Sequence, residues 1–481
     1  MILNTLHERY VTKENVEKIH DLSLKILSEI GVKFENARAL ELFKQHGLKI
    51  EGDIVFFSEA DVTKALSAVP SCFEQYSTKG CVKIGNESRL NMPACGCVYV
   101  SEDGKLRRAK NEDIINFLKL SSTSDLIDYD YVDFFADTSK FTPEQKIYAN
   151  MAMMLRYSHK TGCYDPDTFG VAHEKLYGET VNAINIIRKF EGVTNRKTYV
   201  NTYCVNTLSP LCYDFAPLEK MFAYAEENQP LWIIPCAMPA LTSPPSVFST
   251  LAMTNAEVLA GIVLSQLINP GLPVIYGNTS SATDLRSVLL SIGTPETALM
   301  AYATVALARY YNMPVRTGGG LSDAKDCDFQ AGAESMMMLN ATYDAGADLI
   351  LHAFGIMGSF NVYSYEKYIL DEECARYALH MCRGIKTTDE YNFFEQLKQT
   401  GPRGAFINYR TPKTYREDFV LAKDFNKQDP NVWQNNGAKP IKEAAGEHAL
   451  KRISEYEPPK IDKEQAKIIE HLIPEEYQNG I

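Results

Sequence analysis

The 481-residue sequence lacks any apolar run close to the roughly 20 residues that a membrane-spanning helix needs. Its longest apolar run, Val258 to Ile268, is typical of a buried helix. The start, MILNTLHERYVTKENVEKIHDL, has no basic segment followed by an apolar segment, so no secretory signal is expected. These absences predict a cytoplasmic protein that makes no membrane contact.

The sequence also lacks an excess of positive charge. It has 49 basic and 61 acidic residues, which gives a formal net charge of −12. Nucleic acids and anionic membranes are bound mainly through basic patches, so neither is an expected partner. An acidic protein is compatible with a cationic ligand.

The common signatures of metal and nucleophile sites are missing as well. The eleven cysteines include no CxxC pair, and they are expected to be reduced. The nine histidines show no HxH or HExxH spacing, and no GxSxG stretch occurs. We therefore predict no bound metal and no side chain that acts as an acid, base or nucleophile.

From about Tyr129 the chain alternates short apolar runs with helical stretches. This rhythm predicts seven β-then-α units with parallel strands, and hence a (β/α)8 TIM-type barrel of the α/β class. The predicted strands are YVDFFAD, TGCYDPD, TYVNTYCVN, LWIIPCAM, PVIYGNTS, PVRTGGG and DLILHAFG.

The barrel is expected to carry additions at both ends. Residues 1–128 are predicted to form an N-terminal α+β supporting region, 129–410 the catalytic barrel, and 411–481 a helical C-terminal extension. The eighth strand is left open between HMCRGI near Ile385 and the later RGAFINY.

The glycine-rich stretch RTGGGLSDAKDCDFQAGAES, from Arg316 to Ser335, follows the sixth predicted strand. It lacks GxGxxG and P-loop spacing, and its carboxylates would repel a phosphate. We interpret Gly318, Gly319, Gly320 and Asp323 as a positioning loop. Lys325 could instead form a Schiff base, as in barrel aldolases, although the flanking carboxylates favour its protonated state.

Barrel enzymes place their sites where the strands end. Aromatic faces around a cavity, with acids behind them, suit a quaternary ammonium ion. Arg316 has the geometry for a bidentate bond to a carboxylate. The predicted substrate-binding residues are Phe135, Tyr164, Tyr203, Asn206, Tyr276, Asn278, Arg316, His352, Phe354 and Phe360.

His352 begins an H-x-x-G sequence that resembles half of the D-x-H-x-x-G motif of cobalamin-binding domains. Ile350 stands where that motif has its aspartate, so the histidine lacks the partner that would tune it. We therefore expect no corrinoid bound to this chain.

Three stretches carry a family resemblance. They are ILSEIGVKFENARALELFKQHG, TNAEVLAGIVLSQLINPGLPVIYG, and the run from PVIYGNTS to LILHAFGIMGS. They resemble the trimethylamine methyltransferase family, whose members are barrel enzymes that pass a methyl group from an amine to a separate corrinoid protein. Its trimethylamine enzymes contain pyrrolysine, which the resemblance places in a loop matching Gly318 to Asp323. This sequence has ordinary residues there and is similar to the non-pyrrolysine branch.

The resemblance implies a quaternary amine as substrate, such as glycine betaine, proline betaine or carnitine. It also implies cobalamin supplied by a corrinoid protein, and a homo-oligomer is expected. In this interpretation the glycines open space for a larger substrate. Two alternatives stay open: a barrel lyase or aldolase that uses Lys325, and a betaine-binding protein without activity.

Overall fold

The computed structural model describes residues 8–102, 104–131, 133–406 and 413–481. Its centre is a set of eight parallel strands, each followed by a helix, numbered here in chain order. The strands are β1 (Leu90–Asn91), β2 (Asp130–Tyr131), β3 (Gly162–Cys163), β4 (Tyr203–Asn206), β5 (Leu231–Ile234), β6 (Val274–Gly277), β7 (Val315–Arg316) and β8 (Leu349–Ile350). The helices are α1 (Asn111–Thr123), α2 (Pro143–Tyr157), α3 (His173–Phe190), α4 (Phe215–Glu226), α5 (Val247–Ile268), α6 (Pro295–Tyr310), α7 (Phe329–Ala345) and α8 (Tyr365–Met381).

Six of the strands form one parallel sheet in the order β4-β5-β6-β7-β8-β1, and β2 pairs with β3 in a second. Hydrogen bonds connect the two sheets at both edges. The backbone N–H groups of Asp128 and Tyr129 donate to the Asn91 carbonyl oxygen at 3.0 and 3.2 Å, which joins β1 to the start of β2. The Asn201 side chain bonds the Tyr164 N–H and carbonyl oxygen, each at 2.8 Å, which joins β3 to the segment before β4.

Each of the seven strand positions predicted from the sequence overlaps an observed strand, YVDFFAD at Tyr131 only, and each strand is followed by a helix. The local causes are visible in α2, where Thr142 caps the helix and Pro143 occupies its first turn. Neither candidate for the eighth strand forms a strand in the described residues. HMCRGI lies at the end of α8 and in the turn after it, and residues 403–406 of RGAFINY form no strand, while 407–409 lie outside the described residues.

The strand that completes the set is β1, which comes from the first 128 residues. It is parallel to β8, with Leu90 opposite Leu349 and Asn91 opposite Ile350. Two residues in a stretch rich in glycine, proline and cysteine give no periodic pattern, so sequence alone could not identify this strand.

Smaller elements surround these units. The helices near the N-terminus are Lys13–Glu29, Ala37–Gln45 and Glu59–Ala68. A four-stranded sheet contains Lys49–Glu51, Ile54–Phe56, Val32–Phe34 and Cys212–Tyr213, and another contains Lys105–Arg108, Tyr99–Glu102, Val362–Tyr363 and Ile356–Met357. The strand pairs are Cys72–Gln75 with Val82–Gly85 and Ala282–Asp284 with Leu289–Ser291. Beyond α8 lie the α-helices Phe394–Thr400, Lys413–Asp418, Pro430–Asn435, Ile441–Ser454 and Lys463–Ile469, with 3-10 turns at Asp389–Tyr391, Glu470–Leu472 and Glu475–Tyr477.

Helix α5 is long and apolar enough to cross a membrane, but 83% of its most apolar stretch is buried inside the protein. It contacts the helices Lys13–Glu29 and Glu59–Ala68 on its outer side. Its apolar character is therefore explained by burial on all sides within the fold.

The two faces of the parallel strands contact different partners. Side chains such as Trp232, Ile275 and Leu349 form a cluster that contains strand and loop residues but no helix residues. Their neighbours along the chain, such as Ile233 and Val274, belong to the large cluster shared with the surrounding helices. We call the first face inward and the second outward. Because successive residues of a strand alternate between the two faces, this alternation decides which side chains point inward at the strand ends.

Candidate functional site

Side chains from seven of the eight strands, or from the loops directly after them, approach one another around Arg316. We call this set the mouth cluster, because it lies at the carboxyl ends of parallel strands. Its members are Cys95, Tyr131, Cys204, Cys236, Thr279, Arg316 and His352.

Arg316, on the inward face of β7, occupies the centre of the mouth cluster and is only 2% exposed. Its Nη1 donates to Thr279 Oγ1 at 2.6 Å, and its buried Nε has no hydrogen-bond partner. Burial lowers the pKa of the guanidinium from its ordinary value. Arginine stays protonated in proteins, so the site contains a permanent positive charge.

His352 follows β8 and is half-buried beside Arg316. Its Nδ1 accepts a hydrogen bond from the Cys95 backbone N–H at 3.4 Å, and its ring lies 4.9 Å from that of Phe360. Burial, and then the Arg316 charge, lower the pKa of His352 to about 3. The imidazole is therefore neutral at physiological pH and does not act as a proton donor there.

The thiols and the phenol around Arg316 are neutral for the same reason. Burial raises the pKa of Cys204 to about 12, raises that of Cys236, and raises those of Cys95 and Tyr131 well above their ordinary values. The Tyr131 ring also packs against the Trp232 ring, with the two ring centroids 5.9 Å apart. None of these four groups can supply a proton to a substrate readily or serve as an anionic partner for Arg316.

Two carboxylates lie close to the cluster: Asp165, which forms an ion pair with Lys220 Nζ at 2.7 Å, and Asp133. Asp133 follows β2 and accepts hydrogen bonds from the Gly96 N–H at 2.9 Å, the Phe134 N–H at 2.8 Å and the Tyr363 hydroxyl. Burial raises its pKa from the ordinary value. Asp133 nevertheless accepts all three of these hydrogen bonds. It is therefore the candidate for the predicted acid near a cationic substrate.

The glycine loop does not open space at the mouth. A Cβ atom on Gly318 would lie 2.0 Å from Thr342 Oγ1, and one on Gly320 would lie 2.3 Å from the Ala353 carbonyl oxygen. The loop instead runs along the chain after β8, and the Gly320 N–H donates to the His352 carbonyl oxygen at 3.0 Å. The interpretation that the glycines make room for substrate is therefore wrong, because the space that they leave is filled by neighbouring protein.

Asp323 fixes this loop to its surroundings. Its carboxylate accepts from the N–H groups of Ile292 and Gly293 at 2.9 and 3.0 Å and from the Ser359 hydroxyl at 2.7 Å. Lys325 is exposed, and its Nζ donates to the Asp323 carbonyl oxygen at 2.5 Å. This position separates Lys325 from the mouth cluster and gives no support to a Schiff-base role.

The structure does not bring most of the predicted aromatic side chains to the mouth. Tyr203 stacks on Tyr224 of α4 at 5.0 Å, and the Tyr276 hydroxyl donates to Asn255 Oδ1 of α5 at 2.9 Å. Tyr164 is fully buried in a second cluster, with residues of α2 and α3. All three rings are on the outward face and fill the layer between strands and helices.

The other predicted residues divide in the same way. Phe354 packs on Tyr368 of α8, Phe135 on Phe141 and Tyr477, and Asn278 donates to Thr254 Oγ1 of α5. Asn206, by contrast, is exposed at the end of β4, two residues after Cys204. Of the ten predicted binding residues, the structure places Arg316, His352, Asn206 and Phe360 at or beside the mouth cluster.

Five members of the mouth cluster were not predicted from the sequence: Cys95, Tyr131, Cys204, Cys236 and Thr279. A signal was present in the cysteines, since Cys95 and Cys236 lie shortly after the end of a parallel strand and Cys204 lies within one. That regularity becomes visible only when the strands are placed side by side.

Comparison with known proteins identifies the family. The model of the family described as "Trimethylamine methyltransferase (MTTB)" matches residues 3–479. The chain belongs to the trimethylamine methyltransferase family. Within this family, it is 38% identical to a proline betaine:corrinoid methyltransferase of Eubacterium limosum, with 98% of each chain covered. It is 35% identical to an L-carnitine:corrinoid methyltransferase of the same organism over 100% of both chains.

The fold of this chain resembles that of a solved structure of MtmB in complex with hydroxylamine. The TM-score is 0.50, with 10% sequence identity and 95% of each chain covered. At that identity the likeness concerns the fold alone. In the described part of the chain, no group of three or more His, Cys, Asp or Glu side chains is arranged to hold a metal ion.

Proposed function

We propose that the protein transfers a methyl group from a quaternary amine to the cobalt(I) of a corrinoid that a separate protein carries. The expected donor is a betaine such as glycine betaine, proline betaine or carnitine. The family and the two betaine-specific relatives support this assignment.

One observation carries the proposal: the mouth cluster contains no group that gives up a proton near neutral pH. His352 is neutral with a pKa of about 3, and burial keeps the nearby thiols and phenol protonated. A quaternary amine needs no proton, because its nitrogen leaves as a neutral tertiary amine. The C–N bond breaks with its electron pair on nitrogen, and the cobalt(I) electron pair forms the new cobalt–carbon bond.

The protein would contribute position and a dry environment. Tyr131, Phe360 and the Asp133 carboxylate are the candidates to face the ammonium group, while strand-end loops admit the corrinoid from outside. The finer architecture belongs to the same proposal: the eight units, from Leu90 to Met381, close into a (β/α)8 barrel. The barrel therefore begins before the predicted boundary at 128/129, because β1 and α1 lie in the predicted supporting region 1–128, and the predicted extension at 411–481 follows it. We also propose that the protein is a cytoplasmic homo-oligomer whose partner is the corrinoid protein.

The test is methyl transfer from glycine betaine, proline betaine and carnitine to free cob(I)alamin under strictly anaerobic conditions. We expect methylcobalamin and the matching tertiary amine in equal amounts from at least one donor. Failure of all three donors to methylate cob(I)alamin would contradict the proposal.

The same preparation distinguishes the alternatives. A binding protein would bind a betaine without forming methylcobalamin. A lyase that uses Lys325 would trap its substrate on borohydride reduction, which we do not expect from the exposed position of this lysine.

A further inference from the structure

Among the described residues, Arg316 differs from the other buried cations, which have acidic partners. Arg188 is 6% exposed and forms an ion pair with Glu227, and Lys367 is 1% exposed with its Nζ 2.6 Å from Asp371. Within the described residues, no carboxylate forms an ion pair with Arg316, and its protein hydrogen bond goes to the neutral Thr279 hydroxyl. Its Nε is buried without a partner.

An unpaired charge in a protein interior is costly, and such groups are normally paired with a counter-ion. The groups that face Arg316 from β1, β2, β4 and β5 are Cys95, Tyr131, Cys204 and Cys236, and none of them supplies a negative charge. The guanidinium fork matches a carboxylate in shape and charge. The missing counter-ion is therefore expected to arrive with a ligand.

Resting on the proposed function, we infer that Arg316 binds the substrate carboxylate at the bottom of the mouth and thereby orients the donor. Thr279 positions the guanidinium through the 2.6 Å bond to Nη1. Because Arg316 is almost completely buried whereas His352 is half-buried and Asn206 exposed, the carboxylate end lies deepest. The N-methyl groups then point outward, toward the incoming corrinoid.

This orientation also has an electrostatic consequence for the reaction. With the carboxylate anchored, the positive ammonium group lies only a few bonds away from the positive guanidinium. The ammonium charge disappears as the C–N bond breaks, so its repulsion with Arg316 is smaller in the transition state than in the bound substrate. Arg316 would therefore favour the transition state over the ground state, while its bond to the carboxylate is retained.

The test compares one betaine with its methyl ester, which keeps the ammonium group and loses the negative charge. The betaine is whichever of glycine betaine, proline betaine and carnitine the wild-type protein binds most tightly in calorimetry. We expect the wild type to bind it at least about 10-fold more tightly than its ester. Arg316→Gln should lose roughly 10- to 100-fold in betaine affinity and bind the ester as well as, or better than, the wild type.

Arg286→Gln is the matched control, since Arg286 is 93% exposed in its side chain on the hairpin after β6. It should bind betaine and ester as the wild type does. A purely structural role for Arg316 would weaken both ligands together, so weaker ester binding by a folded Arg316→Gln variant overturns the inference. If that variant does not fold, two results still decide. Equal affinity for betaine and ester in the wild type overturns the inference, and so does a Thr279→Val variant that weakens the binding of both ligands equally.

Methyl transfer to free cob(I)alamin separates this inference from the proposed function. Equal transfer from betaine and ester would leave the function standing and remove the role of Arg316. Carboxylate-dependent binding without any methyl transfer would support the role of Arg316 and contradict the proposed function. Absence of binding by all three betaines would overturn both.

Discussion

Tyr203 and Cys204 are adjacent in the chain, and Val315 and Arg316 are another such pair, yet in each pair the two residues have different surroundings. Tyr203 and Val315 face outward and pack in the cluster shared with the helices, whereas Cys204 and Arg316 face inward at the mouth. The outward face is mostly apolar, with one buried hydroxyl, that of Tyr164, lacking a partner, whereas the inward face carries an unsatisfied charge at Arg316. We therefore expect substitutions of outward residues to reduce stability, and substitutions of inward residues at the strand ends to reduce ligand binding.

The largest effect is expected from the glycine loop, whose glycines contact other parts of the protein and therefore matter for stability. Gly319 has a φ of +135°, and a Cβ there would lie 2.7 Å from the Leu351 carbonyl oxygen and 2.8 Å from that of His352. Gly319→Ala should therefore reduce the free energy of unfolding by about 3–5 kcal/mol, measured by urea denaturation.

Gly332→Ala is the matched control. Gly332 lies in α7 with no atom within 4 Å of an added Cβ, so the same substitution should stabilise the protein by about 0.5–1 kcal/mol. Equal stability of the two variants would show that the glycine loop is not packed against the chain after β8.

A second pair of variants tests the two faces with one substitution. Tyr276 is fully buried and bonded to Asn255, so Tyr276→Leu should cost about 2–3 kcal/mol of stability and leave betaine affinity unchanged in the folded fraction. Tyr131→Leu should instead weaken betaine binding by about 3- to 10-fold, because it removes an aromatic face near the ammonium group.

Stability is measured by urea denaturation and affinity by calorimetry for both variants. If Tyr276→Leu weakened binding more than Tyr131→Leu did, the assignment of outward and inward roles would be wrong.

The last test concerns the pH dependence that His352 contributes. Its pKa is about 3 in the folded protein, below the value of about 6.5 expected when unfolded. Between these values the unfolded chain binds a proton that the folded chain does not. The stability contributed by neutral His352 is fully present above pH 6.5, and it falls by roughly 1.4 kcal/mol per pH unit as the pH decreases from 6.5 toward 3.

His352→Gln lacks this titration and provides the reference. The difference in unfolding free energy between wild type and variant should be constant from pH 7 to 8 and shrink from pH 6 to 4. A constant difference over the whole range would mean that His352 titrates normally in the folded protein.

Sequence alone predicted the seven β–α units because the strands are short apolar runs and several helices have a clear start, as at Thr142-Pro143 and Thr294-Pro295. It could not predict which side chains face inward. Buried parallel strands such as LWII are apolar on both faces, so their sequence contains no alternation that marks a face. Strand-end position therefore selected Tyr203 and Tyr276 as readily as Arg316.

The glycine loop shows a second limit. Three consecutive glycines predict close approach, but not the identity of what approaches. Here it is the chain after β8, and the contacts of Gly319 and Gly320 with Leu351 and Ala353 link positions more than 30 residues apart. Such a contact depends on the register between β7 and β8, which the sequence does not specify.

The place of Leu90–Asn91 between β2 and β8 has a consequence for how the protein is made. This strand leaves the ribosome early, yet its partner Leu349–Ile350 is synthesised about 260 residues later. At roughly 5–20 residues per second, the nascent chain spends on the order of 13 to 50 seconds with that edge unpaired. During that time the unpaired edge of the sheet must be protected from pairing with other chains, until the last β–α unit has emerged.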